Sequence, residues 1–180
     1  EADKDERAEG IVDIILPPLA GKKFLDFGCG QGHVVSYVSK SAALSVGYDI
    51  VKDPASRFEW DDEATGALLT TDIEKAMSKG PYDVILIYDV LDHASNPKEA
   101  LKTARSALAE DGKIYLRTHP WTSRHGGHTY RSINKAFMHL VFAEEELLSM
   151  GIELNSAQRI FAPLYTYKNW FDGAGLKMSV

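Results

Sequence analysis

The sequence predicts an α/β fold, a central and mostly parallel sheet flanked by helices, and three observations predict it. An apolar run, Phe24-Leu25-Asp26-Phe27, passes through Gly28-Cys29-Gly30-Gln31-Gly32-His33 straight into Val34-Val35-Ser36-Tyr37-Val38 at helical spacing, so a buried strand reverses into a helix at glycines. Further short apolar runs lie at residues 44–50, 67–71 and 82–88, interleaved with helical patterns as in α/β proteins. The chain has 180 residues, 44% of them hydrophobic, which suffices for one buried core, so a single domain over residues 1–180 is expected.

Each element has a local cause. Ile11, Val12, Ile14, Ile15, Leu16 and Leu19 form an apolar face behind a charged lead and stop at Pro17-Pro18, a short helix packed beside the sheet. The glycines of residues 28–32 permit the positive φ angles and close backbone approach of a tight strand-to-helix loop. Asp72 opens a helix running to Lys79, and Asn96-Pro97-Lys98-Glu99 supplies an N-cap, a first-turn proline and an acid for a helix through Ala109 that Gly112 ends. Residues 113–117 read as strand five. Residues 142–148 read as a helix with an acidic first turn stopped near Gly151, residues 165–171 as another before Gly173 and Gly175, and residues 176–180 as a last strand.

Composition narrows the function classes. Cys29 is the only cysteine, which excludes an intrachain disulfide and a cysteine-based zinc site, and in a tight loop it reads as a small tolerated residue. A net charge of −6 without a long Lys/Arg block weighs against a nucleic-acid backbone as partner. No run is long or apolar enough to cross a membrane, and residues 1–7 are charged rather than signal-like, so a cytoplasmic protein is expected.

The spacing Gly28-x-Gly30-x-Gly32 departs from the dinucleotide fingerprint, whose third glycine would fall at His33, and this argues against a nicotinamide or flavin dinucleotide. Asp26-Phe27-Gly28-Cys29-Gly30-Gln31-Gly32 resembles instead the first motif of the class I S-adenosylmethionine-dependent methyltransferases, an acid followed by G-x-G-x-G. Asp89-Val90-Leu91-Asp92-His93 after the fourth strand resembles that family's fourth motif, and Glu110-Asp111-Gly112 before the fifth keeps its order, so the resemblance covers residues 24–118. It implies a Rossmann-like fold, S-adenosylmethionine as cofactor and S-adenosylhomocysteine as product. It also implies that Gly28, Cys29, Gly30 and Gly32 admit the amino acid end and ribose, with Asp26 orienting the ammonium through the loop. Asp49, with Ile50, stands at a strand end roughly twenty residues after the loop, where a ribose ligand is expected in a βαβ unit. Asp72 and Ile73 match the family's acid and apolar flank for adenine, Tyr88 and Asp89 are implied to contact the cofactor, and the motif from Asp89 through Asp92 and His93 is implied to line the floor between cofactor and acceptor. Asp49 and Asp72 also suit plain capping; both roles can coexist at Asp72, since an N-cap carboxylate keeps a second oxygen. If residues 176–180 form the sixth strand, the chain lacks the family's seventh, the pattern of a trimmed domain or one part of a larger protein.

The segment after strand five, residues 118–131, is dense in polar, aromatic and basic side chains, and loops beyond the carboxyl ends of parallel strands face ligands. An imidazole ordinarily has a pKa near neutrality, so His119, His125 and His128, with His93 of the fourth motif, are candidates to take a proton from an acceptor hydroxyl. His93, expected near both the sulfonium and the acceptor, is the one favoured for a direct role. Arg124 and Arg131 are candidates to hold a carboxylate or phosphate, and Trp121 to line the acceptor. Surface histidines also commonly just bond to backbone. A metal is an alternative: the loop imidazoles with Asp89, Asp92 or His93 make a mixed nitrogen and oxygen set, and acid-x-x-acid-His resembles the metal-associated motif of quinone-biosynthesis O-methyltransferases. Capping and packing explain Asp92 and His93 equally, so a divalent metal is not the favoured expectation. The N/D-P-P-Y/F signature of amino-methylating enzymes is absent after strand four, which favours O-methylation of a small molecule or saccharide. Two alternatives stand beside it: a cofactor-binding module without catalysis, and another nucleoside-binding α/β enzyme such as a dehydrogenase.

Overall fold

A computed structural model of the protein describes residues 2–63, 66–129, 133–152 and 162–179. The chain falls into two units, one of Glu1–Tyr88 with Ala104–Leu116 and one of Asp89–Thr103 with Arg117–Val180.

The first unit carries the sheet. Its strands β1 (Lys23–Phe27), β2 (Leu44–Tyr48), β3 (Ala67–Thr70), β4 (Tyr82–Tyr88) and β5 (Leu108–Arg117) lie in the order β3-β2-β1-β4-β5. β1 pairs in parallel with β2 on one side and β4 on the other, with Leu25 opposite Val46 and Ile85. Parallel strands are covered on both faces and so read as continuous apolar runs rather than alternating ones. Phe24, Leu25, Val46, Ile85 and Ile87 accordingly are fully buried. Helix α1 (Ala2–Ile15) packs Ile11, with Leu16 and Leu19 beyond its end, against Phe24, Val38, Val84 and Leu86. Each such side chain contributes about 1.5–3 kcal/mol by leaving water.

The strand order reverses at β1. The chain moves from β1 outward to β2 and β3, then returns to the other side for β4 and β5. Such a switch point opens a crevice at the carboxyl end of the first strand, and the glycine loop leaves β1 there to start α2 (His33–Val38).

Three sequence expectations are corrected. Helix α1 starts at Ala2 and includes the charged lead, because Lys4 and Asp5 have partners in Gln31 and His33 at 2.7 and 2.8 Å. The helix expected through Ala109 is α4 (Pro97–Ser106), and β5 begins at Leu108. Pairing with β4 takes the intervening residues: Tyr82 N donates to Ala107 O at 2.8 Å. Gly112 therefore lies within β5, at a close approach where a Cβ would come 2.8 Å from Tyr82 O, and does not end the helix. Residues 176–179 form no strand. Gly175 takes φ 70° and Leu176 N donates back to Phe171 O at 2.9 Å, so this stretch closes the end of α7 (Leu164–Gly173), and Val180 is outside the described residues. In the second unit, α5 (Met138–Val141) and α6 (Glu144–Ser149) precede α7. The capping pair of α6 includes Ala143 N donating to Glu146 Oε2.

Candidate active site

In the first unit the glycine loop is held through its main-chain N–H groups. Gly28 N and Cys29 N both donate to Tyr48 O, at 2.7 and 3.0 Å, Gly30 N donates to Asp49 Oδ2 at 2.7 Å, and Gly32 N donates to Cys29 O at 2.9 Å. Gly28, Gly30 and Gly32 all have positive φ, of 93°, 52° and 77°. At Gly32 a Cβ would stand 2.8 Å from Leu69 Cδ1, so glycine is needed there for space as well as for conformation. These N–H groups face protein acceptors rather than a phosphate, which distinguishes the loop from an anion cradle made of exposed amides.

Two carboxylates flank the loop. Asp49 directly follows β2 and is half-buried, and its Oδ1 also lies 3.4 Å from Val51 N. Asp26 is buried in β1, and burial, reinforced by the charge of Asp49, pushes its carboxyl up to about 7. A carboxyl poised there releases its proton when a cation arrives beside it. Burial, with Asp26 and Asp49 adding to it, also pushes the Cys29 thiol up, so Cys29 stays protonated and is no nucleophile. Ile50 is exposed. Asp72 caps α3 (Ile73–Ser78): its Oδ1 accepts from Glu74 N and Lys75 N at 2.9 and 3.2 Å. Ile73, the first residue of α3, is half-buried. Tyr88, the last residue of β4, carries the Arg7 guanidinium 5.6 Å from its ring centroid.

The second unit gathers side chains instead. Asp92 is fully buried, and Thr118 Oγ1 donates to its Oδ1 at 3.0 Å. Its other oxygen, Oδ2, lies 3.5 Å from His93 Nε2 and 3.3 Å from His128 Nε2. The His128 ring stands 5.1 Å from that of His93 and 5.4 Å, edge to face, from that of His119. Asp89 Oδ1 is 3.4 Å from Arg117 Nε and 3.5 Å from His119 Nε2, and Asp89 N donates to Arg117 O at 2.9 Å. Asp89 and His128 are both non-glycine residues with positive φ, 57° and 51°. Such backbone costs about 1–2 kcal/mol per residue, and strained positions of this kind cluster at functional sites.

Of the four expected histidines, three thus meet. His125 contributes its carbonyl to the turn that presents His128, accepting from His128 N at 2.9 Å, and its ring is not among the groups converging on Asp92. Arg124 is exposed, with its carbonyl accepting from Phe137 N. Trp121 braces the loop: its ring meets His139 edge to face at 4.6 Å and its carbonyl accepts from His139 Nε2. Arg131 lies outside the described residues. Sequence reasoning assigned no role to Thr118, His139 or Gly127, where a Cβ would strike the His139 side chain. It placed Asp92 in the fourth motif, as a floor residue, a possible ligand or a cap, without its link to Thr118 and His128. Glycine pairing at Gly126-Gly127 was the available signal for a tightly packed loop.

Comparison with known proteins bears on this arrangement. A model of the methyltransferase domain matches residues 3–179. The tRNA U34 carboxymethyltransferase of Aeromonas salmonicida is 33% identical over 125 residues, covering 64% of this chain and 38% of that protein. The ubiquinone biosynthesis O-methyltransferase of Haemophilus ducreyi is 27% identical over 168 residues, covering 88% of this chain and 66% of that protein. The chain thus spans less than half the length of the former. Among solved structures, an S-adenosylmethionine-dependent methyltransferase from Mesorhizobium loti has a TM-score of 0.65 at 17% identity, with 96% of this chain and 83% of that one covered. Magnesium protoporphyrin IX methyltransferase from Synechocystis, with S-adenosylhomocysteine bound, has a TM-score of 0.62 at 17% identity, with 99% and 76% covered. At such identities the likeness is one of fold.

Proposed function

The chain belongs to the class I S-adenosylmethionine-dependent methyltransferase family, and on that premise we propose that it transfers the methyl group of S-adenosylmethionine to an oxygen of a small molecule or saccharide. The observation that carries the cofactor is the loop's bonding. Gly28, Cys29, Gly30 and Gly32 turn their N–H groups to protein acceptors, so the loop offers close approach without a phosphate cradle, which suits a sulfonium nucleoside and not a dinucleotide. Asp49, oriented by Gly30 N, takes the ribose hydroxyls. Asp72 and Ile73 serve adenine, and Asp26 ionises to meet the ammonium.

Held by these residues, S-adenosylmethionine would supply an electrophilic methyl group to the acceptor oxygen and leave as S-adenosylhomocysteine, while an imidazole of this chain would take the acceptor's proton. Alignment accounts for most of the acceleration, and a base for a hydroxyl acceptor adds about 100-fold or more. His119, edge to His128 and beside Asp89, is suited to be that base. In this reading residues 1–180 act as one catalytic domain in the cytoplasm. Arg124, Arg131 and Trp121 remain its candidate acceptor contacts. A second reading, an RNA acceptor, draws on the relative named for tRNA; the net charge of −6 weighs against it, since a polyanion is bound by clustered cations.

Calorimetric titration with S-adenosylmethionine and S-adenosylhomocysteine tests the reading, with NAD as control. Micromolar binding of both sulfur nucleosides is expected, weakened about 30-fold or more by Asp49→Ala, as for loss of charge-assisted bonds worth about 2 kcal/mol. Absence of binding, or preference for NAD, would sink it.

A further inference from the structure

We propose that Asp92, His93 and His128 form a site for one divalent transition-metal cation of the zinc type. Each offers one ligand atom, and the three atoms lie within 4.8 Å of one another. Ligands held ~2.05 Å from a tetrahedral ion stand about 3.3 Å apart. Two of the three edges, 3.3 Å from His128 Nε2 and 3.5 Å from His93 Nε2 to the same Asp92 Oδ2, have that spacing in the structure.

The supports of a metal site are also present. The carboxylate is fully buried, and Thr118 Oγ1 binds its Oδ1 at 3.0 Å, which fixes the plane of the group and turns Oδ2 toward the two imidazoles. Hydrogen bonds of this outer kind orient ligands and tune their basicity. His128 is delivered by a loop that depends on Gly126, whose Cβ would collide with the Trp121 carbonyl, and on a backbone at φ 51°. That strain is maintained where it sets one ring beside Asp92.

The ligand set is not the one the D-x-x-D-H pattern suggests. Asp89, the first acid of that pattern, is engaged with Arg117 and His119, and His128, remote in sequence, takes the third place. Two imidazoles and one carboxylate favour a borderline ion such as Zn²⁺ over Mg²⁺, which prefers oxygen. Three protein ligands leave a position open, as in catalytic rather than structural sites. An ion there supplies a Lewis acid that orients a hydroxyl or paired hydroxyls and lowers their pKa. This use rests on the methyltransferase reading; the binding does not.

The test is calorimetry of the tag-free, chelator-treated chain with ZnCl₂ and with MgCl₂, alongside visible absorption with CoCl₂. One Zn²⁺ per chain at about micromolar affinity or tighter is expected, with a Co²⁺ ligand-field band and no Mg²⁺ binding in the same range. His128→Ala and, separately, His93→Gln should each weaken Zn²⁺ by about 100-fold or more, and Thr118→Val by about 10–100-fold, while His125→Ala leaves it unchanged. Circular dichroism checks that each variant is folded, and the two histidines lie on different segments, so one variant suffices if the other does not fold. Zn²⁺ weaker than about 1 mM, or affinity indifferent to both histidine changes, overturns the site. S-adenosylmethionine titrated into the same samples separates the two readings: intact nucleoside binding with no Zn²⁺ overturns only the site.

Discussion

The glycine loop of residues 28–32 and the cluster around Asp92 are made of different material. In the loop, main-chain N–H groups carry the structure and bond to Tyr48 O, Asp49 and Cys29 O. Around Asp92, side chains carry it, drawn from residues 89–93 and 117–128. A main-chain site is indifferent to most side-chain changes and intolerant only where a Cβ or a positive φ is at issue. A side-chain cluster has no such latitude, since any member removed leaves buried polar groups to be satisfied by others. The carboxylates differ in the same way: buried Asp26 has the negative Asp49 as a neighbour, whereas buried Asp92 has a hydroxyl and two imidazoles.

The sharpest way to break this contrast is Asp26→Asn. The folded chain raises the Asp26 carboxyl from 3.8 to about 7. Between these values the folded state keeps a proton that the unfolded state has released, so stability is full below about pH 4 and falls as pH rises toward 7. The loss is on the order of 4 kcal/mol. Denaturant unfolding of Asp26→Asn should lack this component of the slope and be the more stable protein at pH 8. Parallel profiles for the two proteins would show that Asp26 titrates normally. Asp92→Ala should behave oppositely: removing a partnered carboxylate destabilises by about 2–3 kcal/mol near neutral pH. A change under 0.5 kcal/mol would mean that the cluster is held by its loops alone.

The same difference decided what could be read beforehand. The first strand, its glycine loop and Asp49 were legible because their constraint is local: glycines at positive φ must follow the strand, and an acid ends the next one. Asp92 was legible as a member of the fourth motif but not as the centre of a cluster, because that depends on Thr118, 26 residues on, and on where the loop carries His128. His139 left no local sign at all; its role is to brace Trp121 from 18 residues away. The end of α4 was misplaced since helical patterning continues past Ser106, yet strand pairing of Tyr82 with Ala107 prevails. Residues 176–180 read as a strand, and only the bond from Leu176 N to Phe171 O shows residues 176–179 closing a helix.

Within the loop itself, two glycines separate conformation from space. Gly30 has φ 52° with nothing near its absent Cβ, so Gly30→Ala meets only the left-handed backbone penalty, about 1 kcal/mol. Gly32 has φ 77° and also faces Leu69, which is fully buried and cannot swing aside into solvent. Gly32→Ala therefore adds overpacking to the same penalty and should cost about 2–3 kcal/mol. Unfolding midpoints of the two variants, with unchanged denaturant slopes, measure the difference. Equal losses would mean that Leu69 yields and that the loop needs its glycines for backbone conformation alone, in which case Leu69→Ala should not rescue Gly32→Ala. A rescue by Leu69→Ala, beyond its own cavity cost, would establish the close approach between β3 and the start of α2 as the reason this position must be glycine.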